Sequence, residues 1–275
     1  MVHARGGGPS AVALLCASSE PRIEASGREI LPCQMRLPGA GIAIAARVGH
    51  SDRMNRAVFI DRDGTLNRMV YDQTHGLLDS PRRPEQVRLI EGAGAFLKAV
   101  REAGWLAIVV TNQPGIAKGT LTFDELDAVN ARLAELLAVE GGGWDALYAC
   151  PHHPARDPAG RAEYQVGCDC RKPKPGLLIR AAREHDIDLA ASWMVGDGLN
   201  DVQAGRAAGC RTALVTRLKM EQVEAFMALD GAIPDAFASN PAAAAAVILG
   251  EIGIASGAKS RRTKSQRSGR PPQSA

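Results

Sequence analysis

The sequence has no run of 18 apolar residues, so no helix that crosses a membrane is expected. A short apolar patch at residues 11–17 follows little positive charge, which is a poor match to a signal peptide. Of the six cysteines in 275 residues, three fall between Cys150 and Cys170. This clustering is unlike a disulfide scaffold and favours a metal site in a reducing compartment. We therefore expect a cytoplasmic protein.

Aromatic residues and positive charge are both scarce in the body of the chain. The whole sequence has three Trp, three Tyr and five Phe, too few for a platform that stacks nucleic-acid bases. The formal net charge is +3, but residues 1–53 contribute +2 and residues 256–275 contribute +6, which leaves −5 for residues 54–255. An acidic body argues against a nucleic-acid groove, so no nucleic-acid partner is expected.

Three regions differ in composition. Residues 1–53 show no regular hydrophobic period and are broken by Gly and Pro, which predicts a disordered extension; Met54 is a candidate start of the natural protein. Residues 256–275 contain six basic and no acidic residues and predict a disordered basic tail. Residues 54–255 form the predicted folded domain. No long apolar stripe is left over there, so we expect a monomer.

Short apolar runs alternate with helical segments from Ala57 onward. Strands are predicted at 57–61, 106–111, 145–149, 193–196 and 212–215, and helices at 92–103, 122–140, 175–184, 200–208 and 241–252. This alternation predicts an α/β fold in which helices cover both faces of a parallel sheet. Polar residues follow three of the strands, namely Asp61 and Asp63, Thr111 and Asn112, and Asp197. Ligands bind at the carboxyl ends of such strands, so these residues mark the candidate site.

Two carboxylates two residues apart suit the hydrolysis of a phosphate ester. Asp61 is the candidate nucleophile, and Asp63 would protonate the leaving oxygen and then deprotonate water. A cation must offset the charge, and Mg²⁺ prefers oxygen ligands, with Asp197 as a third acidic ligand. Thr111 and Lys172 are candidates to bind the phosphoryl oxygens.

These residues resemble the four motifs of the haloacid dehalogenase superfamily of phosphatases. The motifs stand here as Asp61–Thr65, Thr111, Lys172 and Asp197–Asp201, and the resemblance covers about residues 55–250. It implies a Rossmann-like, doubly wound sheet, an aspartyl-phosphate intermediate, and Mg²⁺ held by Asp61, the Asp63 carbonyl and Asp197. Asp201 is expected to support the site from behind the ligands.

A cysteine- and histidine-rich loop precedes Lys172. Three thiols and one imidazole suit a tetrahedral structural zinc site, and the predicted ligands are Cys150, His152, Cys168 and Cys170. His153 competes with His152, because spacing alone does not choose between them. The loop runs into Arg171 and Lys172, so zinc would position both cations for the substrate phosphate.

The combination resembles the zinc-containing subfamily that includes heptose bisphosphate and histidinol-phosphate phosphatases. The resemblance implies that Asn112, Gln113 and Arg171 contact a small phosphorylated substrate, and it favours a heptose bisphosphate over histidinol phosphate. Gly198 stands where some heptose phosphatases have lysine, which leaves the sugar anomer open. A nucleic-acid end phosphatase and a non-catalytic zinc-stabilised binding module are the rival interpretations.

About 50 residues separate Asp61 from Thr111, and the zinc loop fills much of the interval from Thr111 to Lys172. Neither interval has room for a cap domain. We therefore expect a capless, open site, in which specificity comes from residues 68–79, residues 116–119 and the zinc loop.

Overall fold

A computed structural model describes residues 54–73, 76–218, 221–223, 225 and 233–257, together with two short antiparallel strands, Arg22–Ile23 (β1) and Glu29–Ile30 (β2). The predicted extension at 1–53 and the predicted tail at 256–275 therefore lie outside the described residues, apart from these two strands and the end of the last helix. The disorder of both regions stays a prediction.

The domain alternates strands and helices. Its strands are Ala57–Ile60 (β3), Val70–Asp72 (β4), Leu77–Asp79 (β5), Leu106–Asn112 (β6), Ala146–Cys150 (β7), Trp193–Gly196 (β8), Arg211–Val215 (β9) and Ala236–Ala238 (β10). Its helices are Ala93–Glu102 (α1), Phe123–Val139 (α2), Gly176–Glu184 (α3), Leu199–Ala208 (α4) and Pro241–Gly257 (α5), with 3-10 turns at Pro84–Gln86 and Ala162–Tyr164. None of the described helices is long and apolar enough to cross a membrane.

Six strands form one parallel sheet in the order β10–β9–β8–β3–β6–β7. The four side chains of β3 alternate between its two faces and are fully buried. Val58 and Ile60 join a core with α1, α2 and α5, whereas Ala57 and Phe59 join a second core with α3 and α4. The predicted α/β fold with a doubly covered, Rossmann-like sheet is confirmed.

Local signals place the helices as predicted to within a few residues. Thr122 is the N-cap of α2: its hydroxyl accepts from the Glu125 amide at 3.2 Å, and Glu125 accepts from the Thr122 amide at 2.7 Å. Gly209 ends α4 with a φ of 85°, a left-handed conformation that glycine adopts at low cost. The last helix is longer than predicted and runs to Gly257.

The strand β10 and the β4–β5 hairpin are absent from the sequence prediction. Each of these three strands is only three residues long, which is too short to show a hydrophobic period in the sequence. The hairpin is the main element of the segment between β3 and α1, and the loop 151–175 separates β7 from α3. No cap domain occurs in these described segments, as the sequence predicts.

Candidate active site

Three neighbouring strands end at one edge of the sheet, and each carries predicted site residues there. Asp61 follows β3, Asp197 follows β8, and β6 ends with Thr111 and Asn112. Since β3 pairs in parallel with both β6 and β8, these side chains converge. The fold thus gathers residues that lie up to 136 positions apart in the sequence.

Lys172 is the centre of this group. Its Nζ donates to Asp61 Oδ1 at 2.5 Å and lies 2.6 Å from Asp201 Oδ1. It also donates to the Val110 carbonyl at 2.8 Å, and the residue is 3% exposed. Burial alone would lower the pKa of Lys172, but the Asp201 and Asp61 carboxylates outweigh it and raise the pKa. A permanent positive charge is therefore held against Asp61.

Asp61, Asp197 and Asp201 place carboxylate oxygens within 4.8 Å of one another. Asp61 and Asp201 are buried, whereas Asp197 is exposed to solvent. Gly64 permits this approach: its φ is 94°, and a Cβ at this position would lie 2.0 Å from Asp197 Oδ2. Carboxylate oxygens at this spacing are suitable ligands for a hard divalent cation.

The crowding of these carboxylates changes their affinity for protons. Burial, with further contributions from Asp201 and Asp197, raises the pKa of Asp61 to about 8 although Lys172 opposes it. Desolvation within the crowded site and the Asp201 charge raise the pKa of Asp197 to about 6. A cation that binds between these carboxylates therefore stabilises the folded chain at neutral pH.

Asp63 lies in a different environment, one that is rich in hydrogen-bond donors. Its carboxylate accepts from Arg62 Nε at 3.1 Å, Arg62 Nη2 at 2.8 Å and Asn67 Nδ2 at 2.9 Å. It also accepts from Ser80 Oγ at 2.9 Å and Gln113 Nε2 at 2.7 Å. Burial would raise the pKa of Asp63, but Arg62 and the other donors outweigh it and lower the pKa. Asp63 therefore rests in the ionised form.

The strand-end amides support the catalytic candidates. Gln113 Nε2 also donates to Thr111 Oγ1 at 2.9 Å, and both residues are 1% exposed. The Asn112 carboxamide donates to the Lys172 carbonyl at 3.0 Å and accepts from the Lys172 amide at 3.1 Å. The sequence predicts substrate contacts for Asn112 and Gln113, and these stay predictions. The contacts that the structure contains orient Asp63, Thr111 and Lys172.

A second group of metal-binding side chains lies beside the first. Cys150, His152, Cys168 and Cys170 place their ligand atoms within 4.8 Å of one another. The sulfur atoms are 3.2 to 3.6 Å apart, and His152 Nδ1 lies 3.3 Å from Cys170 Sγ. Zn–S bonds of about 2.3 Å in a tetrahedron would separate the sulfurs by about 3.8 Å. The group is therefore slightly more compact than a tetrahedral metal site and can hold a metal ion.

The structure distinguishes the two adjacent histidines. His152 is 6% exposed and turns Nδ1 toward the sulfur atoms. His153 instead accepts a hydrogen bond from the Ala155 amide at its own Nδ1, at 3.1 Å. His152 is therefore the histidine that directs an imidazole nitrogen into the cysteine group. Spacing in the sequence could not distinguish it from His153.

The cysteine group is joined to the active-site edge through the backbone. Cys170 precedes Arg171 and Lys172 directly, and Arg171 Nη1 donates to the His152 carbonyl at 3.3 Å. The Gln113 amide donates to the Cys150 carbonyl at 2.8 Å. The cysteine group is therefore connected to the active-site edge in two places. Cys170 leads directly to Lys172, and Cys150 is hydrogen-bonded to Gln113.

The comparisons with known proteins agree with this geometry. A family model described as HAD-hydrolase-like matches residues 169–235. The D-glycero-beta-D-manno-heptose-1,7-bisphosphate 7-phosphatase of Pasteurella multocida is 38% identical over 164 residues, which is 60% of this chain and 83% of that protein. The chain belongs to the haloacid dehalogenase-like hydrolase family.

Two further proteins are similar to this chain over most of their length. The phosphatase of the same name from Escherichia coli (strain K12) is 37% identical over 161 residues, 58% of this chain and 78% of that protein. A crystal structure of the D,D-heptose 1,7-bisphosphate phosphatase from B. bronchiseptica, complexed with magnesium and phosphate, is similar with a TM-score of 0.57 and 31% identity. The match covers 71% of this chain and 99% of that protein.

Proposed function

We propose that this chain removes the 7-phosphate of D-glycero-D-manno-heptose 1,7-bisphosphate through an aspartyl-phosphate on Asp61. One observation carries the chemistry: Asp61 stands at a strand end, 2.5 Å from a buried ammonium and beside two further carboxylates. The names of the relatives supply the substrate, because proteins that are 37 to 38% identical to this chain over 161 to 164 residues are named heptose bisphosphate phosphatases.

In the first half-reaction an Asp61 oxygen forms a bond to phosphorus as the bond from phosphorus to the sugar oxygen breaks. Lys172 and Thr111 bind the phosphoryl oxygens. Asp63 is ionised in the free site, so it takes up a proton when the substrate phosphate brings further negative charge beside it, and it then gives that proton to the leaving oxygen. The products of this step are the free sugar hydroxyl, an acyl-phosphate on Asp61 and an ionised Asp63.

In the second half-reaction water attacks phosphorus, and Asp63 removes a proton from that water. The acyl-phosphate bond breaks, Asp61 returns as a carboxylate, and inorganic phosphate leaves. The donors around Asp63 favour its ionised form, which suits this base step.

The acidic group fits Mg²⁺, with Asp61, Asp197 and the Asp63 carbonyl as the proposed ligands and Asp201 as a support. Bound Mg²⁺ would neutralise phosphoryl charge during transfer. The donor set is entirely oxygen. Burial and the neighbouring carboxylates raise the pKa values of Asp61 and Asp197 although Lys172 opposes this, so a further cation would be favoured here.

Mg²⁺ affinity is expected to fall as the pH is lowered. Protons compete with the cation at Asp61 and Asp197, whose pKa values are raised to about 8 and about 6. Between about pH 8 and about pH 5.5 the apparent Kd for Mg²⁺ should rise at least about tenfold. Calorimetric titration at both pH values measures this, with circular dichroism as the control that the fold persists. An affinity that does not change with pH would contradict the assigned ligands.

We propose zinc for the cysteine group, because three thiols and one imidazole whose ligand atoms lie within 4.8 Å of one another match the ligand set of structural zinc sites. Purified protein should contain about one zinc per chain. The Cys168→Ser variant should lose that zinc and a measurable part of its thermal stability, because metal-binding free energy contributes to folding. Elemental analysis and Tm measure the two effects.

Cys210 provides the matched control. It is a buried free cysteine outside the cysteine group. The Cys210→Ala variant should therefore keep its zinc. A wild-type protein without zinc, or a Cys168→Ser variant that retains a full equivalent, would overturn this assignment.

A bisphosphate needs a second anion site, and the cationic residue Arg171 directly precedes Lys172 in the chain. Desolvation lowers the pKa of His153, and the Arg171 and Lys118 charges lower it further, so the two cations act on the same region. We assign this region to the second phosphate. Histidinol phosphate is the alternative substrate and has no second phosphate to occupy it.

The substrate is tested by Mg²⁺-dependent phosphate release from both anomers of the heptose bisphosphate and from histidinol phosphate. The proposal expects kcat/KM to be at least about a hundredfold higher for one heptose anomer. A preference for histidinol phosphate would leave the mechanism standing and overturn the substrate. Turnover of phosphorylated DNA ends in preference to both would instead favour the nucleic-acid rival.

Gly198 provides a variant for the anomer preference. Its backbone is extended, with φ −115° and ψ 154°, and the nearest atom to a Cβ there would be Asp201 Oδ2 at 3.4 Å. A side chain therefore fits at this position, and Gly198→Lys is expected to change the ratio of rates for the two anomers.

We also propose that the chain is a monomer and works in the cytoplasm, where the thiol ligands stay reduced.

A further inference from the structure

Asn130 lies in the middle of α2, outside every motif of the active site. It is fully buried, and its Oδ1 accepts a hydrogen bond from Arg62 Nη1 at 2.7 Å. Its Nδ2 is also buried and has no partner among the described residues. An apolar residue would occupy such a place in a helix without that cost. The contact with Arg62 is therefore the feature that explains a polar side chain here.

Arg62 is fully buried as well, and it stands in the chain between the candidate nucleophile Asp61 and the candidate acid–base residue Asp63. Its Nε and Nη2 bind the two oxygens of Asp63, which leaves Nη1 to bind Asn130. The planar guanidinium has a fixed geometry, so the group that holds Nη1 also fixes the direction of the other two nitrogens. Asn130 thus acts on Asp63 through one rigid group.

We propose that Asn130 is a positioning residue for proton transfer by Asp63. The inference rests on the proposed acid–base role of Asp63. Proton transfer in the transition state depends on placing the carboxyl within hydrogen-bond reach of the leaving oxygen, and small misplacements are costly. Ser80 and Gln113 bind Oδ2 of Asp63, and Asn67 binds Oδ1. Among the described residues, only Arg62 binds both oxygens.

The leaving group of the substrate separates positioning from simple support of the fold. A sugar alkoxide needs a proton as it departs, whereas p-nitrophenolate is stable enough to leave without one. Loss of proton donation therefore slows the first half-reaction for sugar phosphates and spares that of p-nitrophenyl phosphate, and kcat/KM measures this half-reaction. Hydrolysis of the acyl-phosphate, in which Asp63 is the base, is common to both substrates and affects kcat for each. A variant that only loosens the fold lowers both rates together.

The test compares kcat/KM for the heptose bisphosphate with kcat/KM for p-nitrophenyl phosphate. Asn130→Leu has the same branching as asparagine but no acceptor, and it should lower the first about tenfold or more and the second less than about threefold. Asn130→Asp keeps an acceptor oxygen for Arg62 in either protonation state and should restore the ratio. Asp63→Asn gives the full effect of losing the acid.

Val129→Ala is the control, since Val129 is the neighbouring buried residue of α2 and has no polar side-chain atom that could accept a hydrogen bond from Arg62. It should reduce stability and leave the ratio of the two rates unchanged. If Asp63→Asn changes the ratio and Asn130→Leu does not, this inference is wrong and the proposed function stands. If Asp63→Asn itself leaves the ratio unchanged, or the wild type hydrolyses neither substrate, the proposed mechanism falls and the inference with it.

Discussion

Replacing Asp61 with asparagine is expected to lower Mg²⁺-dependent phosphate release by a factor on the order of 10⁴ or more. Asparagine keeps an acceptor oxygen for Lys172 but cannot form an acyl-phosphate. A better leaving group should not restore the activity, because no leaving group replaces the missing nucleophile. Steady-state kinetics with the heptose bisphosphate measures the loss.

The same variant should not lose stability when Mg²⁺ is chelated. Burial raises the pKa of Asp61 to about 8, so its carboxyl favours the folded state at low pH and loses that contribution as the pH rises through about 8. An uncharged amide removes the repulsion from Asp201 and Asp197. The Tm of Asp61→Asn in EDTA at pH 8 should equal or exceed that of the wild type. Phosphatase activity of Asp61→Asn near the wild-type value would contradict the assignment of Asp61 as the nucleophile.

The Lys172→Met variant should lose both activity and stability. Methionine fills a similar volume, but Asp61 and Asp201 then remain buried without their shared cation. Removing one partner of a buried ion pair costs about 3 to 5 kcal/mol of unfolding free energy. Loss of a charge that stabilises the phosphoryl group should lower kcat by about 10² to 10³. Denaturant titration and steady-state kinetics measure the two effects.

Lys174 is the matched control on the same loop. Its ammonium lies 3.7 Å from Asp169, and the two side chains are 57% and 99% exposed. Exposed ion pairs contribute little, so Lys174→Met should change stability by less than about 1 kcal/mol. Added Mg²⁺ should recover more stability in Lys172→Met than in the wild type, because it supplies the missing positive charge. Equal losses in both lysine variants would refute the central role of Lys172.

The sequence could predict the fold because its strongest signals are local. The buried run at β3, the capping box at Thr122 and the glycine after α4 each act within a few residues. A parallel sheet then brings strand ends together, so Asp61, Thr111 and Asp197 could be placed at one edge before any coordinates. The β4–β5 hairpin lacked such a signal, since its strands are short and largely exposed.

The environment of Asp63 could not be predicted in the same way. Ser80, Gln113 and Asn130 reach it or its partner Arg62 across 17, 50 and 68 positions, and no periodic pattern links them. Such contacts follow from how α2 and the hairpin pack against the sheet, which local propensity does not specify. The choice between His152 and His153 is of the same kind, because it depends on side-chain direction.

The most direct test of the account is to trap the covalent intermediate. Wild-type protein is mixed with Mg²⁺ and the heptose bisphosphate and quenched with borohydride, which reduces an acyl-phosphate to the corresponding alcohol. Peptide mass spectrometry then locates the change. The account predicts that Asp61 alone is converted to homoserine, and only when substrate is present. An unmodified Asp61 during active turnover, or conversion at another carboxylate, would contradict it.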